Sequence, residues 1–159
     1  MSLLDKEPVK RAEKALKDFD VRINIIILNE SARTALDAAN SLKCEIGAIV
    51  KSLLFRAESN FILCLVSGDN KCSLNKLKKI VNIKNISMAT PDEVKSQTGY
   101  TIGGVSPVGN NNKLEILIDN SLKRFKHLYA AAGHPNCVFK INFKNLQKIT
   151  NGKVKELIE

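Results

Sequence analysis

Val9, Ala12, Leu16 and Phe19, with Ala15 beside them, recur at helical spacing, and Lys10, Arg11, Lys14 and Lys17 fill the positions between. That pattern predicts an amphipathic helix over Pro8–Phe19 with one apolar stripe and one basic face. Val21–Leu28 is short and rich in β-branched residues, which predicts a strand. Ser31 is placed to cap a helix from about Arg33 to Leu42, whose alanines suit close packing. Ile46–Phe55 and Phe61–Val66 read as two apolar strands joined as a hairpin through Arg56–Asn60, and Ser67–Asn70 reads as a turn. Ser73 then caps a helix built on Leu74, Leu77 and Ile80. Thr90-Pro91-Asp92-Glu93 places a cap, a proline and a reciprocal glutamate at the start of another helix, which ends at Gly99. Leu114–Ile118 is a strand followed by a helical turn over Asn120–Arg124. Leu128–Ala132 and Cys137–Ile141 are strands linked by Gly133–Asn136, and Phe143–Ile149 is a last helix stopping near Asn151-Gly152. Strands and helices interleave without an internal repeat or linker, so the expected architecture is one α/β domain, residues 1–159, on a mixed and largely antiparallel sheet.

Composition narrows the function classes. The chain has 159 residues, 44% hydrophobic and 26% charged, enough for one substantial core. No apolar run is long enough to span a membrane, and the N-terminal stretch lacks the apolar core of a secretory signal, so a cytoplasmic protein without a membrane partner is expected. Cys44, Cys64, Cys72 and Cys137 are scattered, with no C-x-x-C pair and no neighbouring histidine. That predicts reduced thiols rather than a zinc site or a disulfide framework, and no metal or cofactor is expected. The formal net charge of +9 makes a polyanion a reasonable partner. Aromatic content of 5% with no tryptophan disfavours a stacking platform for single-stranded RNA.

Candidate chemistry collects around Thr98–Gly109, a dozen residues holding Gly99, Gly103, Gly104 and Gly109 together with Pro107. Such a loop is a shaped piece of main chain able to aim amides at a small polar group. Upstream, Lys51 interrupts an apolar strand: whichever face is buried, its ammonium sits among Ile49, Leu53 and Phe55 and needs a partner or a ligand. An edge lysine snorkelling to solvent satisfies the same pattern. Downstream, His134 follows a strand in a Gly-His-Pro turn and is either a pocket contact or a solvent-exposed turn residue, whereas His127 reads as surface. Ser106 is not a nucleophile. Its spacing to Gly109 is one residue too long for a nucleophile elbow, and Pro107 removes the amide that would serve as oxyanion donor.

Taken together, Arg33–Ala39, Ile49–Phe55, Gly99–Gly109 and Ala130–Phe139 resemble the YbaK family, whose domain is related to the editing insertion of bacterial prolyl-tRNA synthetases. The resemblance runs from about residue 22 to 152 and implies a central, partly barrel-like mixed sheet flanked by helices. It also implies hydrolysis, usually in trans, of mischarged tRNA, chiefly tRNA(Pro) carrying cysteine or alanine. On that footing Lys51, Gly103 and Gly104 correspond to the catalytic lysine and amide loop, and Ser52, Val105, Ser106, Pro107, Gly133 and His134 to substrate contacts. His134 resembles the pocket histidine of alanine-editing relatives. An aminoacyl ester is reactive enough to be hydrolysed by orientation and charge stabilisation, with the terminal adenosine's 2′-hydroxyl or a substrate thiol assisting. The expected tRNA contacts are Lys10, Arg11, Lys14 and Lys17 on the basic helix within residues 1–20, and Lys76, Lys78 and Lys79. A synthetase partner is compatible with this reading. So is a non-catalytic module that binds aminoacyl or nucleotide ends or docks on a synthetase.

Overall fold

Alternating apolar residues on both faces of a long central strand set the architecture, because each face has to be covered. The computed structural model describes residues 2–29 and 34–159. Strand β2 (Ile49–Ala57) pairs antiparallel along its whole length with β3 (Asn60–Ser67) through a two-residue turn at Glu58-Ser59. The hairpin is tighter than the predicted Arg56–Asn60 loop, and Glu58 takes the left-handed conformation the turn needs (φ 57°). The remaining strands are β1 (Ile26–Ile27), β4 (Ile86–Met88), β5 (Glu115–Asp119), β6 (Leu128–His134), β7 (Cys137–Ile141) and β8 (Lys153–Lys155). They form one mixed sheet in the order β1-β7-β6-β2-β3-β5-β8, with β4 also on β2.

The even-numbered side of β2 (Val50, Leu54) joins Leu63, Leu65 and Phe139 in the largest core, covered by helix α1 (Glu7–Phe19) through Val9, Ala12 and Leu16. The odd-numbered side is covered twice. Helix α2 (Ala35–Leu42) lays Ala38 and Ala39 on Ile49, and helix α3 (Leu74–Val81) lays Leu77 on Phe55, Cys64 and Val66. Helices α4 (Pro91–Thr98) and α5 (Phe143–Thr150) complete the fold. The Thr90–Glu93 capping box forms in both directions, and Gly99 ends α4 with φ 77°. Ser73 caps α3 as predicted.

Four elements depart from expectation. The strand read over Val21–Leu28 shrinks to Ile26–Ile27, because only these residues meet partners, Val138 and Cys137, at the sheet edge. Ile46–Ala48 is a 3-10 turn leading into β2. Strands β4 and β8, three residues each, carry too little periodicity to be read from sequence. The predicted Ser31 cap and the helix start at Arg33 lie outside the described residues; Thr34 caps α2, its side chain accepting from Asp37 N–H. Among the described residues no helix is long and apolar enough to cross a membrane.

Candidate functional site

The sheet forks beside β2. Along one edge β2 keeps β3 throughout, but on the other it pairs with β6 only at Ile49 and Val50 and with β4 only from Phe55. Lys51–Leu53 therefore border a gap, and a cavity of about 340 Å³ opens there. Val50, Lys51, Ser52 and Leu54 form its floor, Gly103 and Val105 one wall, Tyr129 and Ala130 another. Its volume lies near the lower end of the ~300–1,000 Å³ usual for small-molecule sites.

Lys51 and Ser52 leave opposite faces of the strand, so the cavity has a cationic side and a hydroxyl side. The Lys51 ammonium donates to the Asn70 carbonyl. Partial burial pulls its pKa below the ordinary 10.5, with Asp69 nearby opposing the shift. Asp69 is itself held low by a 2.9 Å bond from Arg124. Ser52 Oγ is buried and has no hydrogen-bond partner among the described residues.

Backbone-on-backbone contact fixes the glycine loop. Gly104 N–H donates to Thr101 O at 2.9 Å, and Gly104 O accepts from Gly133 N–H at 3.0 Å. A Cβ on Gly104 would come within 2.9 Å of His134 N, and one on Gly133 within 2.7 Å of the Pro8 carbonyl. The loop, the end of β6 and the start of α1 thus stack main chain on main chain, which only glycine permits. From behind, Tyr100 donates its hydroxyl to Val108 O at 2.7 Å. Arg11 lies 4.5 Å over the Tyr100 ring, and donates to Gly109 O at 2.6 Å and to Thr98 O at 3.2 Å. Burial pushes the Tyr100 phenol up to about 12.

These contacts redistribute the predicted roles. Lys51, Ser52, Gly103 and Val105 meet at the cavity. Gly104 does not act as an amide donor, since its N–H is spent inside the loop, which leaves Gly103 and Val105 N–H as the loop's candidate donors. Ser106 is fully buried and its Oγ accepts from Val108 N–H, so it shapes the loop, with Pro107 buried beside it. Gly133 is scaffold. His134 lies outside the cavity lining, its Nδ1 accepting from Asn136 N–H, and burial together with Lys6 lowers its pKa. Pro135 reaches the cavity in its place.

Arg11, expected as a tRNA contact, is turned onto the loop, and its Nε, Nη1 and Nη2 all have protein acceptors. Lys14 pairs with Asp18, Lys17 with Asn24 and Val21 O, and Lys76 with Glu156 and Ile158 O. Lys10 and Lys79 are exposed and Lys78 half-buried. The two basic groups lie on opposite faces of the sheet, α1 on the Ser52 face and α3 on the Lys51 face. Sequence reasoning missed Met88, Ala89 and Ile102 as cavity residues; the folded chain leaves Met88 (55%) and Ile102 (63%) exposed there, which the sequence does not announce.

Known proteins share the fold and much of the sequence. A solved structure described as a candidate trans-editing enzyme for prolyl tRNA synthetase superposes with a TM-score of 0.91 at 37% identity, covering 97% of this chain and 98% of that one. The uncharacterised protein YwhH of Bacillus subtilis is 35% identical over 125 residues, 78% of this chain and 79% of its own. A proline–tRNA ligase of Kosmotoga olearia is 34% identical over 127 residues, 80% of this chain but 20% of the ligase, so the chain spans about a fifth of that relative. Residues 29–149 match the aminoacyl-tRNA editing domain, and the fork, the lysine strand and the glycine loop all fall inside that span. The chain belongs to the aminoacyl-tRNA editing domain family.

Proposed function

We propose that this protein is a trans-acting deacylase that hydrolyses the ester of a mischarged tRNA, most simply tRNA(Pro) carrying alanine or cysteine. One observation carries the reading: Lys51, whose half-buried ammonium donates to the Asn70 carbonyl, and a fixed glycine loop line the same small cavity at an unpaired strand edge. The family and the trans-editing neighbour support it. In this reaction water adds to the ester carbonyl carbon, the bond to the ribose oxygen breaks, and free amino acid and tRNA leave. Negative charge develops on the carbonyl oxygen and on the departing ribose oxygen. Main-chain N–H groups of Gly103 and Val105 are the donors for the first. They are pre-oriented by the loop and need no rearrangement as the charge grows. Lys51 holds the acceptor end by its charge. No side-chain nucleophile is required, because orientation alone supplies much of the barrier reduction for an activated ester. Selection among small amino acids comes from how the side chain fits the apolar lining, each methylene being worth only about 1–3 kcal/mol.

The test is a panel of alanyl-, cysteinyl- and seryl-tRNA(Pro) incubated with the protein and with Lys51→Ala. Cleavage of at least one ester, falling about 100-fold or more in the variant, is the expected result. Survival of every ester while tRNA still binds would instead establish a binding module.

A further inference from the structure

The antiparallel ladder between β2 and β3 settles which main-chain groups face the cavity. In such a ladder alternate residues turn both N–H and C=O to one neighbour, and the residues between turn theirs the other way. Ile49 belongs to the set facing β3, its carbonyl accepting from Gly68 N–H at 2.8 Å, as does Ala57 at the hairpin end. Leu54 belongs to the opposite set, its carbonyl accepting from Ala89 N–H at 3.0 Å beyond the other edge. Ser52 shares the parity of Leu54. Its N–H and C=O point into the fork between β6 and β4, and neither has a partner among the described residues. Its Oγ is a second, independent sign, being buried and equally unpartnered. Main-chain groups in the middle of a sheet are almost always paired, and a buried hydroxyl without a bond is costly. Three polar atoms of one residue therefore converge where a ligand can satisfy all of them.

We propose that the aminoacyl group pairs with Ser52 as a single residue of a neighbouring strand would. The α-ammonium donates to Ser52 C=O and Oγ, and the ester carbonyl accepts from Ser52 N–H. This rests on the aminoacyl-ester reading of the cavity and deepens it, since the chain then recognises a free α-amine as well as side-chain size. The Ser52 amide joins those of Gly103 and Val105 on the oxygen that becomes charged. An aminoacyl group with an acetylated amine keeps its ester and one neutral N–H but loses the charge and the donor that reaches Oγ.

The experiment compares the wild type, Ser52→Ala and Ser52→Thr on whichever of alanyl-, cysteinyl- or seryl-tRNA(Pro) the wild type cleaves, and on the N-acetylated form of that ester. Hydrogen bonds to a charged group predict that acetylation lowers wild-type kcat/KM about 10- to 100-fold. Ser52→Ala should lose about tenfold on the free amine and far less on the acetylated ester, so that discrimination between them narrows. Ser52→Thr, which restores the hydroxyl on a strand-compatible side chain, should recover both, and its recovery separates a lost contact from a misfolded variant. Equal cleavage of free and acetylated esters by the wild type overturns the pairing while leaving the deacylase reading intact. Sensitivity to acetylation that Ser52→Ala leaves unchanged also overturns it, by placing the amine elsewhere. If the wild type cleaves none of the three free esters, the deacylase reading fails and the pairing falls with it.

Discussion

Replacing Arg11 by alanine separates holding the loop from binding phosphate. The guanidinium makes a 2.6 Å bond to Gly109 O and a 3.2 Å bond to Thr98 O, with Tyr100 stacked beneath it at 4.5 Å. A charge-assisted bond contributes about 1.5–3 kcal/mol when well formed, and a partly exposed cation–π contact about 0.5–1 kcal/mol. The longer bond counts for less, and water regains access to both carbonyls once the side chain is gone. The Glu7 pair, exposed at 72% on the acidic side, adds only about 0.3–0.5 kcal/mol. The expected loss is about 2–3 kcal/mol, or roughly 5–10 °C in Tm for a chain of this length. Thermal and urea unfolding of Arg11→Ala measure it, and Arg11→Lys should recover less than half, since an ammonium cannot span both carbonyls. Affinity for uncharged tRNA should stay within about twofold, with an unchanged salt slope. An unshifted Tm together with a shallower salt dependence would refute the reasoning and return Arg11 to the tRNA surface.

Gly104→Ala should cost about 1–3 kcal/mol by overpacking, because the added methyl meets only main-chain atoms of Gly133 and His134; urea unfolding checks it. Lys51 has a folded-state pKa below its unfolded one, so between the two values the unfolded chain binds more protons and stability rises with pH toward 10.5. Lys51→Met should abolish that rise in unfolding free energy measured across alkaline pH. Because Lys51 and α3 share a face of the sheet, reversing Lys78 and Lys79 to glutamate should weaken tRNA binding more than reversing Lys10 and Lys14. Titrations over a range of salt would show the log–log slope falling by about one per lost phosphate contact.

Local chemistry made much of the fold legible. The Thr90 box, the Ser73 cap and the apolar hairpin are decided within a few residues, and all three form. Lys51 was visible as a cation inside an apolar strand for the same reason. What could not be read depends on distant partners. Arg11 sits at the same helical spacing as Lys10 and Lys14, and nothing nearby tells that Gly109, far along the chain, will take its Nε–H. Gly103 and Gly104 are indistinguishable as letters, yet one lines the cavity and the other is locked against β6. Ser52 gave little sign by itself, since its unpaired polar atoms follow from where β6 and β4 leave the sheet.

The fork has a consequence for motion. Strands β2 and β3 share eight paired positions, whereas β2 and β6 share two, in parallel, between segments far apart in the chain. Local openings begin where few bonds must break at once. Amide exchange at Val50 and Ala131, whose N–H groups form the β2–β6 rungs, will outpace that at Leu53 and Cys64 within the same sheet. On its β2 side the β6 wall of the cavity is held by two rungs, so a slightly larger guest would be met by movement at that seam before the β2–β3 floor gives.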